Sequence, residues 1–282
     1  MKTVMITGGT DGIGRALGLD RLDRGDHVVI VGTNRDKGES FLADAQRKGA
    51  RDRADFIQAD LELIDENNRL VAELEARLDR LDLLVLGARF QRVRRTETAD
   101  GLESNFALSY LSRFMLSHGL RSLLDRTDDP VVLNFGGAGG FGAPQWDDLQ
   151  QRKRYHFIAA MIHAGTLNAL LAVDLVGRYP GSRTRYVNNF PGTVATSFAG
   201  DYHDDPVVAG QIAMLRRTAK PIAAALTEIT PFLEAPGPGR ITAVSEGRAI
   251  PLDPAVSSPA DATRLYQYTR EVLSTRDEVS QR

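Results

Sequence analysis

The chain has no cysteine, which excludes disulfides, thiol catalysis and thiolate metal sites. Lysine is scarce too. Of 35 cationic residues only Lys2, Lys37, Lys48, Lys153 and Lys220 are lysines, so chemistry that needs an ammonium group must draw on these positions. No apolar run approaches the roughly 20 residues of a membrane-spanning helix. A formal charge of −2 lacks the basic excess of a general nucleic-acid or anionic-membrane binder. No charged-then-apolar leader precedes the strand-forming residues that begin at Thr3. The expectation is a cytoplasmic protein whose partner is a small molecule, with no nucleic acid, membrane or metal involved. Arginine in place of lysine suits a GC-rich bacterial source, and a role in secondary metabolism is the corresponding expectation.

What is present is an ordinary globular composition, 42% hydrophobic and 26% charged over 282 residues, enough for one substantial core. Strand-like and helix-like stretches alternate along the whole chain. Strands are expected near residues 3–7, 27–31, 55–58, 83–86, 131–135, 185–189 and 240–243. Helical patterns fall near 12–24, 36–48, 67–78, 101–124, 156–178 and 207–233. This alternation predicts an α/β fold, a Rossmann-type doubly wound parallel sheet of about seven strands with helices on both faces. A single domain over 1–282 is expected, with a C-terminal helix and tail at about 261–282. Residues 235–239, Ala-Pro-Gly-Pro-Gly, read as a rigid turn before the last strand.

Near the N-terminus Val4-Met5-Ile6-Thr7 runs into Gly8-Gly9-Thr10-Asp11-Gly12-Ile13-Gly14, and Arg15-Ala16-Leu17 opens a helical pattern. Glycines there allow positive φ and let a pyrophosphate approach main-chain N–H groups at a helix N-terminus. The spacing Thr-Gly-x-x-x-Gly-Ile-Gly resembles the short-chain dehydrogenase/reductase family, and the resemblance extends over about residues 3–245. It implies that Thr7, Gly8, Gly12, Ile13 and Gly14 cradle a dinucleotide and that Asp60 and Leu61 lie near the adenine. The second strand ends Thr33-Asn34-Arg35 with no acid to take a ribose 2′-hydroxyl. With Arg15 nearby, that favours NADP(H) over NAD(H), although Asp11 works against it. Pro191-Gly192-Thr193-Val194-Ala195-Thr196 matches the family's Pro-Gly segment. There the Val194 backbone and the Thr196 hydroxyl would hold the nicotinamide carboxamide, and a substrate loop at about 192–210 would follow.

The resemblance also implies a reacting set of serine, tyrosine, lysine and asparagine, and most of that set is missing. The asparagine falls on Asn105, or Asn105 merely bridges helix backbone. Gly136-Gly137 stand where the family has Ser-Ser. Counted back from Asn168 and Asp174-Leu175, the tyrosine and lysine fall on Met161 and Gly165. A shift of one turn gives Phe157 and Met161, and the nearest tyrosine, Tyr155, would pair with Ala159. No register supplies a lysine.

Tyr155 and His156 are therefore the candidate substitute catalysts, with His163 behind them. Gly137, Trp146, Phe157 and Met161 are expected to line the substrate pocket with Asn105. His203, among acids, is a weak metal candidate better read as a solvated loop residue. Arg89, Arg92, Arg94 and Arg95 form either an anion-binding cluster or a solvated basic loop. Three functions stay open: an atypical tailoring enzyme (cyclisation, dehydration or isomerisation of a preactivated substrate), an oxidoreductase with a substitute proton donor, or a non-catalytic NADP(H) binder. The resemblance further implies a homodimer or homotetramer packed through the 156–178 helix.

Overall fold

The computed structural model describes residues 1–138, 142–202, 205–235, 237 and 239–280. Its strands are β1 (Thr3–Thr7), β2 (His27–Gly32), β3 (Ala54–Gln58), β4 (Leu83–Leu86), β5 (Val131–Asn134), β6 (Arg185–Phe190), β7 (Ile241–Ser245) and β8 (Arg248–Ile250). They form one sheet in the order β3-β2-β1-β4-β5-β6-β7-β8, parallel throughout except that β8 runs antiparallel to β7. The helices are α1 (Gly12–Asp23), α2 (Arg35–Arg47), α3 (Ile64–Arg77), α4 (Ser104–Phe106), α5 (Ser112–Gly119), α6 (Arg121–Leu124), α7 (Phe157–Arg178), α8 (Pro206–Thr218), α9 (Ile222–Glu234) and α10 (Pro259–Ser280).

Burial explains why the strand sequences are nearly continuous apolar runs. Val4, Met5 and Ile6 are all fully buried, and successive side chains point to opposite faces. Met5, Val29, Leu84 and Tyr186 therefore join one core, under α3, α5, α7 and α10. Val4, Ile6, Val28, Ile30 and Val85 join the other, under α1, α2 and α9. Contrary to the expectation that no apolar run approaches membrane-spanning length, α7 has the length and apolar character to cross a membrane, but 72% of its apolar window is buried inside the fold. It is a core helix.

Several elements differ from expectation. The sheet gains β8 through a tight turn at Glu246 and Gly247, both at positive φ, 48° and 75°. The helix expected at 101–124 starts at Ser104 and passes through a π-helical turn, Ala107–Leu111, before α5. The helix expected at 207–233 is two, because Pro221 has no N–H and biases Lys220 away from helical geometry. The C-terminal helix expected from about residue 261 begins at Pro259 and packs into the core. Leu265 is buried, and Thr269 sits 2.7 Å from the Tyr110 hydroxyl.

Candidate cofactor and reaction site

The carboxyl ends of the parallel strands line one edge of the sheet, and the strand order reverses between β1 and β4. Ligands of such sheets bind in that crevice. The glycine turn after β1 is shaped by close backbone approach. Gly8 has φ +67°, and a Cβ on Gly14 would stand 2.5 Å from the Gly8 carbonyl oxygen. Asp11 caps α1 by accepting from the Gly12 N–H at 2.6 Å. The N–H groups of Ile13 and Gly14 follow in the first helical turn, where intrahelical partners are lacking and the dipole favours an anion. Thr7 plays a different part. Its buried hydroxyl accepts from Gly87 N at 3.0 Å and Ala88 N at 3.2 Å, which clamps β1 to the end of β4.

At the adenosine end, Arg35 is exposed and its only ion-pair contact among the described residues is Glu39 at 4.0 Å. Asn34 caps α2, accepting from Lys37 N at 2.9 Å. Lys37, absent from the sequence reading of this site, pairs with Asp11. Burial raises the Asp11 pKa, but hydrogen bonds from Lys37, Ser197 and Gly12 outweigh it and hold the carboxyl below its ordinary range. The acid that argued against a 2′-phosphate is thus neutralised by its neighbour. Arg15 instead joins Arg47 on Asp44. The Thr33 carbonyl accepts from Gln58 at 2.9 Å, Asp60 accepts from Glu62 N at 3.0 Å, and Leu61 is buried in the core.

The Pro-Gly segment follows β6, with Pro191 half-buried and Gly192 at φ +70°. It is tied to the α8–α9 connection, Ala195 N donating to Lys220 O at 2.9 Å and Lys220 N to Thr193 O at 3.0 Å. Val194 is buried. The Thr196 methyl lies against Gly12, where an added Cβ would come within 2.9 Å. The two ends of the expected dinucleotide site therefore touch. The residues fit a nicotinamide dinucleotide at both ends, provided Thr196 withdraws from Gly12.

The turn after β5 packs around Arg113, a residue that sequence reasoning did not single out. This buried arginine on α5 donates to Asn134 Oδ1 at 2.6 Å, Phe135 O at 2.8 Å and Ala88 O at 3.3 Å. All three acceptors are neutral. A Cβ on Gly136 would lie 2.9 Å from its Nη1, so the absence of a serine there makes room for the guanidinium. Burial, with the charge of Arg89 adding to it, lowers the Arg113 pKa to about 10, and the group stays cationic at neutral pH. Asn134 extends the network by donating to Asn168 and Asn188 at 3.1 Å each. Asn168 donates to the carbonyl of Ser109, inside the π-turn, at 2.7 Å. Leaving one buried ion unpaired costs several kcal/mol, so a fold keeps such a group only with compensating contacts.

The candidate substitutes have partners of their own. Asn105 does not join this network. Its amide donates to Glu103 at 3.2 Å and to the Tyr155 hydroxyl at 2.7 Å. Tyr155 in turn donates to Arg92 O at 2.8 Å, so its proton is already engaged, and burial, followed by nearby Glu103 and Asp201, pushes its pKa well above the ordinary phenol value. His156 is exposed and stacks on Phe157, ring centroids 5.2 Å apart. His163 is buried, accepts from Gln145 N at 3.2 Å and is lowered to about 4 by burial. Trp146 packs on the fold's interior with the Arg264 guanidinium 4.2 Å above its ring, which ties it to α10. Gly137 has φ +73° and is closed in by Ala169 N and Asn188. Phe157 packs with Tyr202 of the loop after β6 and with Val208 and Ile212 of α8.

Met161 is partly exposed, and its sulfur accepts from Arg89 Nη2 at 2.9 Å. His203 lies outside the described residues, and among those described no cluster could hold a metal. Of the lysines, Lys37, Lys48, Lys153 and Lys220 are paired with Asp11, Asp23, Asp147 and Glu228.

Residues 2–146 match the family model described as short chain dehydrogenase. An uncharacterized oxidoreductase of Saccharomyces cerevisiae is 31% identical over 203 residues, 69% of this chain and 61% of the relative. Retinol dehydrogenase 11 of Mus musculus is 27% identical over 194 residues, 68% of this chain and 61% of the relative. The chain thus spans less than two thirds of the length of these curated relatives. A short-chain dehydrogenase structure from Streptomyces avermitilis is similar with a TM-score of 0.65 at 19% identity, covering 99% of this chain and 97% of that one. Another, from Sphingobium yanoikuyae in complex with NADPH, has a TM-score of 0.65 at 16% identity and covers 97% and 96%. At these identities the structural likeness concerns the fold.

Proposed function

Because this chain belongs to the short-chain dehydrogenase family, we propose that it binds NADP(H) across the sheet edge and acts on a small molecule without the family's serine–tyrosine–lysine machinery. One observation carries this reading: Gly136 leaves the space that Arg113 fills, and none of the three possible registers for the tyrosine–lysine pair supplies a lysine. A positioned general acid or base contributes about 10²–10⁴-fold, roughly 3–5 kcal/mol of barrier, so its absence steers the site away from plain carbonyl reduction. Tailoring of a preactivated substrate is the reading preferred here. The bound cofactor would supply hydride chemistry. Of the chain's own groups, Ile13 and Gly14 N–H would receive the pyrophosphate, Arg35 and Lys37 the 2′-phosphate, and Val194 and Thr196 the carboxamide.

The preference for the phosphorylated cofactor is tested by fluorescence titration with NADPH and NADH. Replacing both Arg35 and Lys37 with alanine is expected to weaken NADPH about tenfold or more, since charge-assisted bonds to phosphate are lost, and to change NADH less than about twofold. Equal weakening of both cofactors would remove the basis for NADP(H). Tyr155→Phe separates tailoring from a reductase that uses this tyrosine. Turnover is expected to change less than about threefold, while stability falls by about 1–2 kcal/mol because Arg92 O loses its donor. Abolished NADPH consumption in a stably folded variant would instead favour the reductase. A protein that binds NADPH but turns over no candidate substrate would favour the non-catalytic reading.

A further inference from the structure

Four arginines stand close together in the chain after β4, and their surroundings differ. Arg92 is paired with Glu62 at 2.9 Å and lies over the Phe90 ring. Arg95 is paired with Glu97 at 2.7 Å. Arg94 is an exposed side chain. Arg89 has no carboxylate partner among the described residues, and its guanidinium rests on Gln91 Oε1 at 3.2 Å and the Met161 sulfur. Arg89 is an exposed side chain in the turn after β4.

We propose that Arg89 and Arg113 together form an anion seat at the reaction end of the cleft, and that the substrate is an amphiphilic carboxylate. This deepens the function proposed above and rests on it. Arg113 donates to the carbonyl of Ala88, the residue next to Arg89, so both cations stand at the turn after β4. Neither is neutralised by an acid among the described residues, and the charge of Arg89 already works against that of Arg113. Neutral oxygens and a thioether hold both guanidinium groups in place without cancelling their charge. A carboxylate matches the planar fork of Arg89, and the buried Arg113 beneath strengthens the field it meets. Beside this segment the partly buried side chains of Val93, Phe157 and Phe198 cover a small buried cluster of Tyr202, Val208 and Ile212. The loop carrying Tyr202 is fixed to the arginine segment, Asp201 N donating to Gln91 O at 3.1 Å and Val93 N to the Asp201 carboxylate at 2.7 Å. A charged head at Arg89 would thus lie beside partly exposed apolar side chains, Met161 among them.

Isothermal titration of the full chain with octanoate, octanamide and inorganic phosphate, with and without NADPH, tests the proposal. Octanoate is expected to bind about tenfold or more tightly than either octanamide or phosphate, the margin of one charge-assisted fork. Arg89→Gln, at an exposed side chain, is expected to erase the preference for acid over amide and leave NADPH affinity unchanged, whereas Arg94→Gln leaves both unchanged. Equal binding of acid and amide, or no binding of either, overturns the proposal. So does a preference that survives Arg89→Gln, or phosphate binding as tight as that of octanoate. If the unsubstituted protein fails to bind NADPH, the cofactor reading alone falls, and the acid–amide comparison without NADPH still decides the anion seat.

Discussion

Gly137→Ser, which restores one hydroxyl of the serine pair expected after β5, is expected to destabilise the protein by about 3–5 kcal/mol rather than repair its activity. Gly137 has φ +73°, a backbone region that costs an L-residue about 1–2 kcal/mol. Its Cβ would also stand 2.8 Å from the Ala169 backbone nitrogen and 3.0 Å from the Asn188 side chain. Ala169 lies in the middle of α7, where the backbone cannot yield without shifting a core helix. Gly136→Ser is the informative companion. Its Cβ meets the end of the Arg113 side chain, which can move, so the loss there is expected to be smaller, about 1–2 kcal/mol. Urea unfolding at pH 7.5 measures both. A Gly137→Ser protein as stable as the parent would show that the glycine is not required by the path of the chain.

Acidification from pH 7.5 to 5.0 is expected to remove about 4 kcal/mol of stability, about 2 from each of two buried histidines. His118 is enclosed by Phe114, Tyr179 and Tyr266, with centroids 4.4–5.7 Å away. Burial, then the charges of Arg178, Arg270 and Arg121, drive its pKa to about 3. Asp174 stands 3.6 Å from Nε2, but its carboxylate is held by Arg178 at 2.6 Å and 3.0 Å. His163 is lowered to about 4, again by burial first. Above an unfolded value of about 6.5 both states are neutral and nothing changes. Below it the unfolded chain takes up protons that the folded chain refuses, so stability falls until the folded values near 4 and 3 are reached. Urea unfolding at the two pH values checks this, with a His118→Asn/His163→Asn protein as comparison. An equal loss in both proteins would assign the acid sensitivity to other groups.

The sheet was legible in the sequence because its strands are buried on both faces, and runs such as Val4-Met5-Ile6 leave little choice of structure. The glycine turn and the Pro-Gly segment were legible because fixed spacing sits directly after a strand. β8 was hidden because a three-residue edge strand has no burial pattern of its own. The break between α8 and α9 could have been found from Pro221, but the apolar pattern on either side masked it.

After β5, the glycine pair at 136–137 was readable in the sequence, and the arginine that packs against it was not. Nothing in Ser112-Arg113-Phe114 distinguishes a buried arginine from a surface one until α5 is packed against β5. The pair of glycines at 136–137 was the available signal, since space vacated at a buried site invites a larger neighbour. The partners of Asn105, Glu103 and the Tyr155 hydroxyl, were not legible either, because only the fold brings Tyr155 to the start of this helix. Lys37 was passed over because its relation to Asp11 spans α1 and α2, which local reading does not bring together.

A crystal structure of the protein with NADPH tests the central claim most directly: a dinucleotide cradle retained without the tyrosine and lysine that usually serve it. The pyrophosphate is expected on the N–H groups of Ile13 and Gly14, with Thr196 moved off Gly12 and no lysine or tyrosine within hydrogen-bond reach of the nicotinamide or its ribose. A lysine ammonium on that ribose, brought by a rearranged segment or by a second subunit, would contradict the claim, as would NADPH bound away from the β1 turn.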